Sequence, residues 1–176
     1  TFRRMNFPRI LKKRKGYIDR IKPFMQKSVV KVLTGQRRVG KSFLLYQLIE
    51  EILAEEPDAN IIYVNLEDFT VSSLQTAEDL HSYIISHSKE KVKNYIFIDE
   101  IQDIPGFEKV IRSLLLNEDN DIYITGSNAK MLSGELATYL SGRYIEFKIY
   151  SLSYSEFLEF HGLTESETSY ELYSRY

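Results

Sequence analysis

The sequence contains no cysteine, which excludes disulfides, thiolate nucleophiles and zinc–thiolate clusters and fits a reducing compartment. Long apolar runs are missing too. None approaches the roughly 18 residues of a membrane span, and the basic N-terminus lacks the apolar stretch of a secretory signal. A cytoplasmic protein with no membrane partner is therefore expected. Only three histidines occur, His81, His87 and His161. They are not spaced as metal ligands and read as surface or packed residues.

The residues that are present describe a globular chain. Of 176 residues, 43% are hydrophobic and 27% charged, enough to build one ordinary domain with its own core. The thirteen tyrosines and ten phenylalanines fall mostly at periodic apolar positions, which points to core packing rather than base stacking. The net charge of −2 hides an asymmetry: residues 1–27 hold ten Lys or Arg against Asp19 alone, a net +9, leaving −11 for the rest. A basic arm of this kind, densest at Lys12 to Lys15, is either a solvated lead into the fold or a contact for nucleic acid or a protein partner.

Strand and helix patterns alternate along the chain. Residues 28–34 form a β-branched run closed by Gly35. Residues 42–55 then set Leu44, Leu45, Leu48, Ile49, Ile52 and Leu53 at helical spacing. Residues 60–66 form a second strand, and Thr76 with Asp79 caps a helix after it. A third strand, Tyr95 to Ile98, ends in Asp99 and Glu100, and a helix faced by Phe107, Val110, Ile111, Leu114 and Leu115 follows. A fourth strand, Asp121 to Thr125, leads to a helix through Leu136 and Leu140, and a fifth covers residues 144–149. Ser153 with Glu156 and Gly162 bound a further helix, and Thr164 with Glu167 starts one that runs into Tyr176 without a stop signal. Short strands apolar on both faces, joined by helix-length connections, imply a parallel sheet covered on both sides, an α/β three-layer sandwich with right-handed crossovers. The expected organisation is a basic segment over 1–27, the main domain over 28–150, and a helical region from 151 to 176 that reads as cut.

The chemistry sits at the strand ends. Gly35, Gln36, Arg37, Arg38, Val39, Gly40, Lys41 and Ser42 satisfy G-x-x-x-x-G-K-[ST], a phosphate-binding loop between a strand and a helix. The glycines let successive N–H groups turn inward onto phosphate oxygens, Lys41 adds a point charge, the Ser42 hydroxyl is a Mg²⁺ ligand, and the helix N-terminus favours the anion. A chain this long matches the pattern by chance roughly once in 200, and the strand–loop–helix context lowers that further. Residues 35–43, Phe43 included, are the expected nucleotide contacts. Arg37 and Arg38 are expected to face outward.

Asp99 and Glu100, ending an apolar strand, supply the complement: Asp99 as second metal ligand, Glu100 as general base for an attacking water. That pair favours hydrolysis over transfer to a small acceptor. At the fourth strand end, Ser127 or Asn128 is placed to orient the water or sense the γ-phosphate, and Asn128 is carried as the candidate. Arg143, before the fifth strand, has two open uses. It caps a helix end, or it reaches a neighbouring copy's nucleotide in a homo-oligomer.

The loop GQRRVGKS, the strand IFIDEIQ, the strand end ITGSN and the segments LSGRYIEF and SLSYSEFLEF together resemble the prokaryotic AAA+-like ATPases of AAA domain family 14, over about residues 18–172. The resemblance implies a P-loop NTPase sheet of five mostly parallel strands in the order 5-1-4-3-2. It also implies Mg²⁺-dependent ATP hydrolysis driving a conformational or assembly switch. ATP rather than GTP rests on the resemblance and on the lack of an N-K-x-D-type guanine motif. It assigns Walker A to Gly35 to Ser42, Walker B to Asp99 and Glu100, sensor 1 to Ser127 or Asn128, and an arginine finger to Arg143. Family members usually continue into a C-terminal domain, so no lid or sensor-2 arginine is assigned. The alternative expectation is an ATP-binding signalling or DNA-associated switch with negligible turnover.

Overall fold

A computed structural model describes residues 12–126 and 138–175. In chain order these form α1 (Lys15–Ile21), β1 (Val30–Thr34), α2 (Lys41–Glu55), β2 (Asn60–Asn65), α3 (Ala77–His87), β3 (Asn94–Asp99), α4 (Phe107–Leu114), β4 (Asn120–Gly126), β5 (Tyr144–Lys148), α5 (Tyr154–His161) and α6 (Glu167–Ser174). The strands make one sheet in the order β2-β3-β4-β1-β5, every pair parallel. This is the expected order read from the other edge.

Strand periodicity of two assigns the faces. Val30, Val32, Ile62, Val64, Ile96, Ile98, Ile122 and Ile124 pack on one side with α3 and α4 residues such as Leu80, Ile84, Val110 and Ile111. Leu33, Tyr63, Tyr95, Phe97, Tyr123 and Phe147 pack on the other with Ile18 and Ile21 of α1 and the apolar stripe of α2. Both faces of β3 and β4 are buried along their whole length, as a parallel sheet inside two helical layers requires.

The helix starts carry a functional distinction. α3 and α5 begin with complete capping boxes, Thr76 with Asp79 and Ser153 with Glu156, each worth about 1 kcal/mol or more. α2 begins at Gly40 in the left-handed region, φ 92°, with no side-chain cap, so its first N–H groups are left for another acceptor. Packing anchors α2 instead: Leu44, Leu45, Leu48 and Ile49 are fully buried, at about 1.5–3 kcal/mol each.

Two element starts differ from expectation by more than one residue. The last helix starts at Glu167 rather than near Thr164, because Ser166 caps it by accepting from the Ser169 N–H, while the Thr164 carbonyl accepts from Ser169 Oγ at 2.8 Å. β1 starts at Val30 because Val29 N–H is turned back onto Lys27 O. The expected helix through Leu136 falls mostly on residues 127–137, outside the described ones. Among the described residues no helix is long and apolar enough to cross a membrane.

Candidate functional site

Parallel pairing brings the C-terminal ends of β1, β3 and β4 to one end of the sheet, and the sequence motifs meet there. Gly35 leaves β1 packed against the carbonyl of Ile149, which follows β5. Its φ is 155°, and a Cβ at this position would collide with that backbone oxygen, so only glycine fits. Arg38 takes a left-handed φ of 67°, and the loop re-enters α2 through Gly40. The Lys41 side chain folds back beneath the loop, its Nζ donating to the carbonyls of Gln36 at 3.1 Å and Gly35 at 3.3 Å. The same Nζ lies 3.3 Å from Glu100 Oε1, both side chains nearly fully buried. A cavity of about 470 Å³ opens over this pair, lined also by Arg37, Arg38, Gly40, Ser42 and Phe43. Arg37 and Arg38 are exposed at its rim, as expected, and Phe43 is 48% exposed, edge-on to Tyr46.

Asp99 is 1% exposed, and both of its carboxylate oxygens are fixed by hydroxyls that sequence reasoning missed. Thr125 Oγ1 donates to Asp99 Oδ1, and Tyr63 OH donates to Oδ2 at 3.1 Å. Burial first, and then the charge of Asp99, push the Tyr63 hydroxyl well above the usual tyrosine pKa, so it stays a donor. Thr125 Oγ1 also accepts the Glu100 N–H at 2.9 Å. That bond ties down Glu100, whose φ of 57° is uncommon for a residue other than glycine. Strand register creates these contacts: Tyr63 pairs with Phe97, two residues before Asp99, and nothing in the linear pattern announces it.

A second cavity of about 430 Å³ adjoins the loop on the far side of Gly40, walled by Val39, Phe43, Leu152 and Phe160, with Lys12, Arg14 and Gln47 at its polar edge. The basic segment builds this wall. Arg14 is 5% exposed and makes a bidentate pair with Glu156 at 2.8 and 3.0 Å. It also donates to Val39 O of the loop at 3.1 Å and to Tyr150 O at 2.9 Å. Glu156 is held below the usual carboxylate pKa, chiefly by Arg14. Gln47 of α2 accepts from Arg14 N–H and donates to Lys12 O. Lys12 Nζ donates to the carbonyls of Glu159 and Phe160 at the end of α5, and Lys13 pairs with Glu51 at 2.6 Å. Three residues of the Lys12 to Lys15 run are thus engaged within the chain.

Ser127 and Asn128 lie outside the described residues. Arg143 does not reach the site of its own chain. It is exposed and precedes β5 at the opposite end of the sheet, about 16 Å away for five strand residues. Among the described residues no cluster of three or more His, Cys, Asp or Glu could hold a metal.

A glycine-rich loop feeding an uncapped helix, a buried lysine under it and an Asp-Glu strand end beside it define an AAA+-like P-loop ATPase domain. The AAA domain family 14 profile, described as an AAA domain, matches residues 27–158, and the chain belongs to that family. An uncharacterised protein of Haemophilus influenzae is 42% identical over 93% of this chain and 42% of its own length. Another from Methanocaldococcus jannaschii is 37% identical over 74% of this chain and 28% of its own. The chain therefore spans less than half of these curated relatives. Among solved structures, Saccharomyces cerevisiae Hsp104 with ADP superposes at TM-score 0.65 with 13% identity, covering 87% of this chain and 24% of that one. Aeropyrum pernix Orc1 in complex with DNA superposes at 0.59 with 14% identity, covering 88% and 50%. At such identities the likeness is one of fold.

Proposed function

We propose that this domain binds ATP with Mg²⁺ and hydrolyses it, the nucleotide state driving a conformational or assembly switch. The observation that carries this reading is the approach of Lys41 Nζ to Glu100 Oε1, 3.3 Å inside a cavity under the loop. A phosphate-binding cation and a general base are thereby within one phosphoryl group of each other.

In this reading the amides of Gly35 to Ser42 and the start of α2 cradle the phosphates. Lys41 exchanges its loop carbonyls for β- and γ-oxygens. Ser42 and Asp99 are hard oxygen donors suited to Mg²⁺, which takes one or two protein oxygens and completes its shell with phosphate and water; when bound, the ion offsets phosphate charge. Glu100 accepts a proton from a water that attacks the γ-phosphorus, the bond to the β–γ bridging oxygen breaks, and ADP and phosphate leave. The apolar cavity beside Val39 and Phe160 suits the base. Asn128 as γ-phosphate sensor and Arg143 as a finger toward a neighbouring copy remain part of the proposal. Exposure at the far end of its own sheet is what a residue acting on a neighbour needs.

The nucleic-acid alternative draws on the Orc1 likeness and on exposed basic residues such as Lys15 and Lys27. The fold likeness alone gives it less support than the site geometry gives hydrolysis.

The test is phosphate release and nucleotide affinity, measured together in the full-length protein. Lys41→Ala should abolish ATP binding. Glu100→Gln should keep binding and lower turnover by about 10²–10⁴-fold. Unchanged turnover in Glu100→Gln would remove the general base from the mechanism.

A further inference from the structure

If this site hydrolyses ATP, Glu100 must keep its aim while Lys41 is drawn toward phosphate. Lys41 has competing duties: its ammonium serves two loop carbonyls as well as Glu100 Oε1, and a triphosphate is a stronger claim on it. The other carboxylate oxygen has a separate partner. Gln102 Nε2 donates to Glu100 Oε2 at 2.7 Å. The amide orientation is fixed chemically, since exchanging its oxygen and nitrogen would set two acceptors against each other at that distance. Gln102 sits on the 3-10 turn Ile101–Asp103, pinned on either side by Ile101 at 0% and Ile104 at 2% exposure. The donor is therefore mounted on a fixed element two residues from the base.

We propose that Gln102 is a positioning residue for hydrolysis: its amide holds the Glu100 carboxylate toward the cavity independently of Lys41. The neutral amide suits this task. A cation would pair with the carboxylate and blunt it as a proton acceptor, whereas an amide fixes its direction and leaves the charge. The free Gln102 Oε1 is buried without a hydrogen-bond partner among the described residues. No other described group thus competes for the amide's alignment, and the bond to Glu100 alone sets its direction.

The inference rests on the hydrolysis reading, and the experiment separates the two. Single-turnover and steady-state ATP hydrolysis, with ATP affinity measured independently, are compared for wild type, Gln102→Leu, Glu100→Gln and the double variant. Gln102→Leu should lower kcat about tenfold and leave affinity within about twofold, because the lost bond aims the base rather than holding nucleotide. In the Glu100→Gln background the same change should cost less than about twofold, since no base remains to aim. Gln102→Asn, one methylene shorter but still polar, should also lose turnover, and it carries the test if the leucine variant fails to fold. Turnover of both Gln102 variants within twofold of wild type overturns the assignment alone. So does an equal loss in the Glu100→Gln background, or a loss of affinity with kcat unchanged. No phosphate release from wild type overturns the hydrolysis reading and the assignment with it.

Discussion

Asp121→Asn should be among the most destabilising single changes in this domain, although it lies at the end of the sheet away from the Gly35 to Ser42 loop. Lys31 of β1 and Asp121 of β4 form an ion pair with both side chains 0% exposed. Asp121 also accepts from Tyr123 OH and Gln26 N–H, each at 2.8 Å. Lys31 Nζ donates to Lys27 O at 3.2 Å and lies 4.9 Å from the centre of the Tyr123 ring. Asparagine keeps the shape, but with its oxygen toward Gln26 and Tyr123 its NH₂ faces the Lys31 ammonium, so both the compensating charge and the hydrogen bond to that ammonium are lost. Orphaning one member of such a pair costs about 3–5 kcal/mol. At roughly 2–4 °C per kcal/mol for a domain of this size, Tm should fall by about 6–20 °C.

The pH dependence is fixed in sign. Burial lowers the Lys31 pKa from its usual 10.5, with Asp121 the main opposing influence, and removing that charge lowers it further. A lysine depressed in the folded state costs stability in full below its folded pKa and ceases to cost it above the unfolded value. The variant's deficit should therefore be full at neutral pH and shrink as pH rises toward 10.5. Urea and thermal unfolding at pH 7 and 10 read this directly. Lys31→Met combined with Asp121→Asn, which removes both charges and keeps an acceptor for Tyr123 OH and Gln26 N–H, should recover most of that loss. A single-variant loss below about 1 kcal/mol, or a deficit independent of pH, would refute the account of a dry, mutually dependent pair.

Other consequences are as concrete. Gly35→Ala should cost about 1–3 kcal/mol and weaken ATP binding, because its Cβ meets the Ile149 carbonyl. Gly16→Ala in α1, with open space around its Cβ, should gain about 0.5–1 kcal/mol; parallel melts and nucleotide titrations compare them. Glu156→Gln should destabilise by about 1–2 kcal/mol at pH 7. Its pKa is lowered in the fold, chiefly by Arg14, so this stabilisation is present above the unfolded carboxylate pKa and lost as pH falls through the lower folded one. Wild type and variant should converge in acid, and a gap that widens there would contradict the Arg14 pairing.

By itself the sequence determined the local elements. Gly35 to Ser42 was legible as a turn from strand to helix, and Asp99 with Glu100 as a strand end, because each is written in particular residue types at fixed spacing along one stretch of chain. The strands were legible because burial on both faces writes unbroken apolar runs, and the capping boxes at Thr76 and Ser153 because a cap reaches only three residues. Tertiary structure decided what depends on register and on long loops. Tyr63 and Thr125 fix Asp99 only because parallel pairing sets β2, β3 and β4 side by side. Arg14, a surface cation by composition, becomes buried because α1 docks on α2 and brings it between the loop and Glu156, 142 residues along the chain. A residue's type and its near neighbours carry no signal for such contacts, since the chain must close before they exist. Whether Glu100 is aimed by Lys41 or by Gln102 is likewise a matter of three-dimensional placement.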